Sequence, residues 1–265
     1  MEEKRDVIMS YSAYSDWLDC PFKYYLGKIV RLKVEKDVVF TIPGSVLHKM
    51  IEEYFENGIP LDTKVALERA YQMEKDTNSN IHKAFRGRDK FESDIDRSVA
   101  NINNFLLSIA GKPVLYEAWF GSWKEPLQVT DILKGQGAAD LIVDNDNNTS
   151  ILYDYKFTWS TKNLKVEQLL FYQVCYEIYK QKKIGMCAYF LLPKNDFSYY
   201  RFTEADKQRL IKNMENAVLE IQKGDFPKRF SPKCAYCDYR NHCKPEYEKP
   251  QPISQPTIVV EQVEL

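Results

Sequence analysis

Residues 137–143 read Gly137-Ala138-Ala139-Asp140-Leu141-Ile142-Val143, and residues 151–157 read Ile151-Leu152-Tyr153-Asp154-Tyr155-Lys156-Phe157. Between them lies Asp144-Asn145-Asp146-Asn147-Asn148-Thr149, whose short polar side chains bond their own backbone and favour turns. Two apolar runs around such a cluster predict an antiparallel hairpin. Side chains alternate along a strand, so Asp154 and Lys156 share a face. A turn centred near Asn147 sets Asp140 opposite Asp154. Two carboxylates and one ammonium then meet among apolar neighbours. Ionised carboxylates beside a core need a partner. A hard divalent cation bound through oxygen is one answer. A buried Asp–Lys ion pair that only pins the hairpin is the other. A cation there would polarise a phosphoryl oxygen and acidify a water, and Lys156 would steady the charge that develops.

Upstream, Gly44-Ser45-Val46-Leu47-His48 opens a segment that reads as a helix to about Asn57, with Gly58 past its end and Pro60 beyond. His48 stands one turn after the glycine, and a neutral imidazole is a good metal ligand. Downstream, Gln168 and Tyr172 sit at i,i+4 in a predicted helix over 166–180 and share a face. They would hold a phosphate or the lysine by hydrogen bonds.

The remaining chain divides by period. Residues 10–27 read as capped helical segments, with Pro21 suited to the first turn of a second short helix. Residues 58–110 read as a helical insertion with a basic stretch at His82, Lys83, Arg86, Arg88 and Lys90. Strand patterns fall at 114–120, 127–133, 137–143, 151–157, 187–192 and 199–202, and an amphipathic helix at 204–223 ends at Gly224. Helices followed by strand, helix, strand and helix give an α/β class with a central mixed sheet flanked by helices. Residues 1–248 form a single domain, and 249–265, rich in proline, form an extended tail.

Composition narrows the function. Lys and Arg number 37 against 38 Asp and Glu, which excludes a uniformly basic nucleic-acid coat but leaves room for a local basic channel. No apolar run is long enough for a membrane span, and the charged N-terminus lacks the apolar stretch of a secretory signal. The expected location is the cytoplasm. In a reducing compartment the six cysteines are not a disulfide scaffold. Cys175 and Cys187 lie in apolar runs and read as buried residues. Cys234, Cys237 and Cys243 are spaced C-x2-C-x5-C, a density that suits zinc or an iron–sulfur cluster. The fourth ligand would be Cys20 from far upstream or His242 nearby.

Taken in order, Gly44…His48, Gly137…Asp140, Asp154-Tyr155-Lys156 and Gln168…Tyr172 resemble the PD-(D/E)XK nuclease superfamily, and within it the RecB-like exonuclease branch. The opening Ser12, Tyr14 and Cys20-Pro21-Phe22 is similar to the start of these domains. The resemblance covers about residues 10–245 and implies a restriction-endonuclease-like core. It implies a Mg2+ or Mn2+ site from His48, Asp140, Asp154 and the Tyr155 carbonyl, with Lys156 as the catalytic lysine and Glu117 as an outer ligand. The cysteines are similar to those of the CRISPR-adaptation and AddB-type nucleases, with one before the core and three after it. That similarity implies a [4Fe–4S] cluster on Cys20, Cys234, Cys237 and Cys243, in a segment at about 230–245 joined to Cys20; zinc is the lesser alternative.

The function implied is a metal-dependent DNA nuclease, an exonuclease on single-stranded DNA serving recombination, repair, replication or CRISPR adaptation. Lys162, Lys165 and the 82–90 stretch would guide the backbone. No Gly-x4-Gly-Lys-Ser/Thr is present, so unwinding would come from a partner helicase or other DNA-processing protein. Two alternatives stand beside this reading: an inactive nuclease fold acting as a DNA-binding or assembly module, and a zinc-stapled endonuclease.

Overall fold

Ser10 starts the first helix: its hydroxyl accepts from Ala13 N at 3.2 Å and satisfies an otherwise free amide. In the computed structural model, which describes residues 6–35, 38–144 and 149–243 and the backbone of 262–263, this helix follows a two-residue strand. The strand is β1 (Ile8–Met9), the helix α1 (Tyr11–Asp19). Pro21 opens α2 (Pro21–Tyr24), which runs into a π-helical turn at Tyr25–Ile29. Helix α3 (Ile42–Asn57) ends where Gly58 turns left-handed at a φ of 71°. Then come α4 (Thr63–Asp76), α5 (Ile81–Ala84) and α6 (Arg88–Ser108).

Strand β2 (Val114–Phe120) begins the sheet. The predicted strand at 127–133 is not one element. It is β3 (Leu127–Gln128) and, after a turn, β4 (Lys134–Gly135). The Thr130 hydroxyl accepts from Leu133 N at 3.1 Å and folds the chain back, a local alternative to the ladder. β4 pairs with β1 and β3 in a small separate sheet. The hairpin forms from β5 (Gly137–Asp144) and β6 (Ser150–Lys156), in antiparallel register with Leu141 against Tyr153. Its turn, residues 145–148, lies outside the described residues.

Helix α7 (Val166–Lys180) crosses to β7 (Ile184–Leu191), which runs parallel to β6. β7 starts three residues earlier than the apolar pattern implies. Its partner β8 (Asp196–Tyr200) also lies upstream of the expected 199–202. Helix α8 (Glu204–Lys223) carries a capping box at Thr203 and Asp206. A 3-10 turn at Pro232–Tyr236 leads to α9 (Arg240–Cys243). Of the proposed tail, only the backbone of β9 (Gln262–Val263) is described, paired with β8. The main sheet has the order β2-β5-β6-β7-β8-β9 and is mixed, because only the β6–β7 pair is parallel.

Each face of this sheet buries its own core. On one side Ile142, Leu152, Cys187, Tyr189 and Leu191 pack with α1, α7 and α8. On the other Leu141, Val143, Tyr153, Tyr155, Ala188 and Phe190 pack with α3, α4 and α6. The helices at 63–108 therefore have no separate core; they cover the second face. Strand β7 is buried on both faces, which is why it reads as a continuous apolar run.

Candidate active site

Strand alternation puts Tyr153 and Tyr155 in the second core and leaves Asp154 and Lys156 on the first-core side, with Leu152. Asp154 is only 1% exposed. Its Oδ2 forms an ion pair with Lys156 Nζ at 2.5 Å but accepts no well-aligned hydrogen bond. Asp140 is tied to the same strand: Tyr155 N donates to its Oδ2 at 2.8 Å. His48 reaches in from the first turns of α3. Its Nε2 lies 3.2 Å from the Tyr155 carbonyl oxygen and 3.6 Å from Asp140 Oδ2.

Glu117 completes the group. The pair that it should form with Asp140 is missing from the β2–β5 ladder, although Tyr116–Leu141 and Ala118–Ala139 flank it. The cause is a left-handed φ of 43° at Glu117, a conformation costing about 1–3 kcal/mol for such a residue. The break shifts the faces of both strands. Tyr116 and Leu141 pack on the second core, but Ala118 and Ala139 pack on the first. Among the described residues, His48, Glu117 and Asp140 alone bring three metal-ligating atoms within 4.8 Å of one another. Asp154 stands beside them, held to Lys156.

The acids here are crowded and little neutralised. Burial, then the Asp154 charge, pushes the Asp140 carboxyl up to about 7. Burial also raises Glu117. Burial opposes the charge on Lys156, but Asp154 and Asp140 outweigh it and hold the ammonium above the ordinary lysine range. Packed carboxylates, an imidazole, a carbonyl and a buried carboxylate oxygen held only by the Lys156 ion pair fit a hard divalent ion. A stability effect follows. The folded chain keeps the Asp140 proton where the unfolded chain has released it, so raising the pH from about 4 through 7 should destabilise the metal-free protein. The expected loss is about 2 kcal/mol, below the full shift because the side chain keeps 16% exposure. Melting curves in EDTA across that range should show the fall, and Asp140→Asn should flatten it. An unchanged slope in that variant would locate the titration elsewhere.

Gln168 and Tyr172 meet: Gln168 Nε2 donates to Tyr172 Oη at 2.8 Å. Burial raises the Tyr172 hydroxyl, with Asp154 adding to it, so the phenol stays protonated. Gly137 makes room for Phe120, whose ring would lie 3.0 Å from a Cβ there, while Tyr172 at 3.5 Å would be in ordinary contact. Gly44, by contrast, is not demanded by packing, because a Cβ would meet nothing within 4 Å. Tyr189 was not foreseen. It is fully buried beneath Lys156, its ring centre 5.5 Å from Nζ, and its hydroxyl donates to the Lys165 carbonyl at 2.8 Å. Only the parallel register, which pairs Tyr189 with Asp154, reveals it. Lys165, one of the expected backbone guides, pairs with Ser15 and Asp19 and keeps 42% of its side chain exposed.

Cys234, Cys237 and Cys243, singled out by spacing, and the candidate fourth ligand Cys20 are half-buried and line one cavity of about 280 Å3 with Lys23, Lys228 and Arg229. Arg229 N donates to Cys20 Sγ and Ser231 N to Cys234 Sγ, both at 3.4 Å. Burial raises the thiols of Cys237 and Cys243. No three of these sulfurs fall within 4.8 Å of one another. His242 does not line the cavity. Cys175 and Cys187 are fully buried elsewhere.

A mixed sheet whose hairpin and flanking helix gather acids, an imidazole and a lysine describes the class of metal-dependent nucleases. The chain belongs to the PD-(D/E)XK nuclease superfamily, whose family profile matches residues 8–244. No curated protein matches it. Among solved structures, one titled "Crystal structure of SSO0001" is similar at 15% identity and a TM-score of 0.40, over 91% of this chain and 88% of that one. Among the described residues, no helix is long and apolar enough to cross a membrane.

Proposed function

We propose that the chain is a Mg2+- or Mn2+-dependent deoxyribonuclease that degrades single-stranded DNA from an end and carries a [4Fe–4S] cluster on Cys20, Cys234, Cys237 and Cys243. The observation that carries the nuclease reading is the convergence of His48, Glu117 and Asp140 beside the Asp154–Lys156 pair. His48, Asp140, Asp154 and the Tyr155 carbonyl would hold the cation, with Glu117 closing the set. A bound cation supplies a Lewis acid for a phosphoryl oxygen and makes a water more acidic. Asp140 must give up its proton to bind it. Lys156 stays charged and stands ready to donate to a phosphate oxygen as negative charge grows. Gln168 and Tyr172 offer neutral donors at the rim of the same site. The cluster assignment is supported by four thiols on one cavity, one from the start of the described chain and three from its end.

The test is digestion of end-labelled single strands and of closed plasmid, with Mn2+ or EDTA, alongside metal analysis of anaerobically purified protein. The expected result is Mn2+-dependent loss of label from single strands, intact plasmid, brown protein and about four irons per chain. Nicked plasmid with one zinc would establish the zinc-stapled endonuclease. DNA binding with no cleavage under any cation would establish the inactive module.

A further inference from the structure

The groove between α6 and the loop after β6 lies outside the site described so far. It encloses about 530 Å3, lined chiefly by Phe85, Arg86, Lys90, Asp94, Arg97 and Trp159. Trp159 is three residues beyond Lys156, no more than about 11 Å of extended chain. That span is about three nucleotides at the 3.4 Å rise per phosphate of a stacked strand. Phe157, between the two, packs edge-on against Phe85 with ring centres 5.8 Å apart, which ties the groove wall to the end of β6.

The indole is held by its edge. Its Nε1 donates to Asp94 Oδ2 at 3.1 Å, and Asp94 is 5% exposed. Yet 42% of Trp159 faces solvent. A large ring with a fixed edge and open surface is preorganised for stacking, since little side-chain freedom remains to be lost. Cations surround it. Lys90 Nζ lies 4.6 Å from the ring centre and the Arg97 guanidinium 5.8 Å. The left-handed pair Arg86 and Gly87 breaks the helix before α6 and leaves Arg86 exposed. The groove's one carboxylate, Asp94, is already committed to Lys90 and Trp159. Among the described residues neither Arg86 nor Arg97 forms an ion pair, so both charges are available to a ligand.

A partly exposed indole with Arg97 over its ring and Arg86 on the same groove wall, neither arginine in an ion pair, matches the chemistry of unpaired nucleotides, which offer both a base face and phosphates. A duplex keeps its base faces stacked inside and offers none to Trp159. We propose that this groove is a subsite for single-stranded nucleic acid beside the cleavage centre, where Trp159 stacks a base and Arg86 and Arg97 hold the phosphates on either side. The proposal deepens the nuclease reading and rests on it for the identity of the substrate.

The test measures binding alone, in EDTA, by anisotropy of a labelled oligothymidylate and of a labelled blunt duplex across a salt series. Trp159→Ala should weaken the single strand about tenfold, as expected for one lost base stack, and change duplex binding less than about twofold, since a duplex gains no such stack. Trp159→Phe should retain most of the affinity. Arg86→Ala and Arg97→Ala should each reduce the slope of log affinity against log salt by about 0.7, one phosphate contact apiece. Trp159→Ala also removes a donor from Asp94, and Arg97 packs over the Trp159 ring, so the exposed Arg86, which is in no ion pair, tests the groove apart from those losses. Wild-type affinity and slope in all of these variants would overturn the subsite. A chain that holds oligothymidylate through Trp159 and never cleaves it would overturn the nuclease reading alone. A chain that cleaves normally while Trp159 and both arginines prove immaterial would overturn the groove alone.

Discussion

Lys156→Ala is expected to lower the cleavage rate about a thousandfold, the scale on which a single aimed electrostatic group acts in a transition state. The same change should leave the cation site standing and make it hungrier. Lys156 is the cation that offsets Asp154 and Asp140 in the metal-free protein. Without it, Asp154 is a carboxylate at 1% exposure with neither an ion pair nor an aligned donor. The metal-free variant should lose about 2 kcal/mol, under the usual cost of breaking a buried pair because Lys156 is 27% exposed. Mn2+ should then raise its melting temperature more than it raises that of the wild type. Measured together, turnover and the Mn2+-dependent thermal shift separate the two roles. Near-normal cleavage, or failure to respond to Mn2+, would remove Lys156 from the part assigned to it.

Cys20→Ala is expected to be the most damaging single change to stability, though Cys20 lies far from the acids. If a cluster joins it to Cys234, Cys237 and Cys243, the change opens a closure spanning more than 200 residues. Such a closure restricts the unfolded chain by about 5 kcal/mol. For a chain of this size that corresponds to a fall of about 10–20 °C in melting temperature. Cluster binding is itself folding free energy, so iron should be lost in parallel. His242→Ala should lose neither, because His242 is exposed and off the cavity. Cys175→Ala controls for removal of a buried thiol. Full iron and an unchanged melting point in Cys20→Ala, with both lost in His242→Ala, would make the ligand set local.

The hairpin could be read in advance because a period-2 pattern, a dense Asp/Asn turn and two out-of-place acids all agree on one register. The helix ends at Gly58 and Gly224 were legible for the same reason: each glycine performs a local backbone task. Glu117 was legible only as an acid on a strand. Its approach to His48 depends on a left-handed kink that no glycine announces, at a residue type that rarely adopts it. Tyr189 was hidden because a buried tyrosine in an apolar strand reads as core until the partner strand is known. The false strand at 127–133 shows the opposite failure. Its composition is that of a strand, but the Thr130 hydroxyl competes for the backbone and wins. The partners of Lys165, Ser15 and Asp19, were hidden because charge alone does not disclose contacts with residues some 150 positions away.

The first helix finds its partners at the far end of the chain. Trp17 stacks edge-on with Phe226, Arg229 Nη1 donates to the Leu18 carbonyl at 2.9 Å, and Lys233 pairs with Asp19 at 2.6 Å. A ribosome adding about 5–20 residues per second makes Arg229 roughly 10–40 s after Cys20. Through that interval Tyr11, Tyr14 and Trp17 have neither α8 nor the 226–233 segment to cover them. The nascent chain thus carries an aromatic segment that stays without these partners until residues 204–233 have been made, and this window is when a chaperone or a protease would meet it.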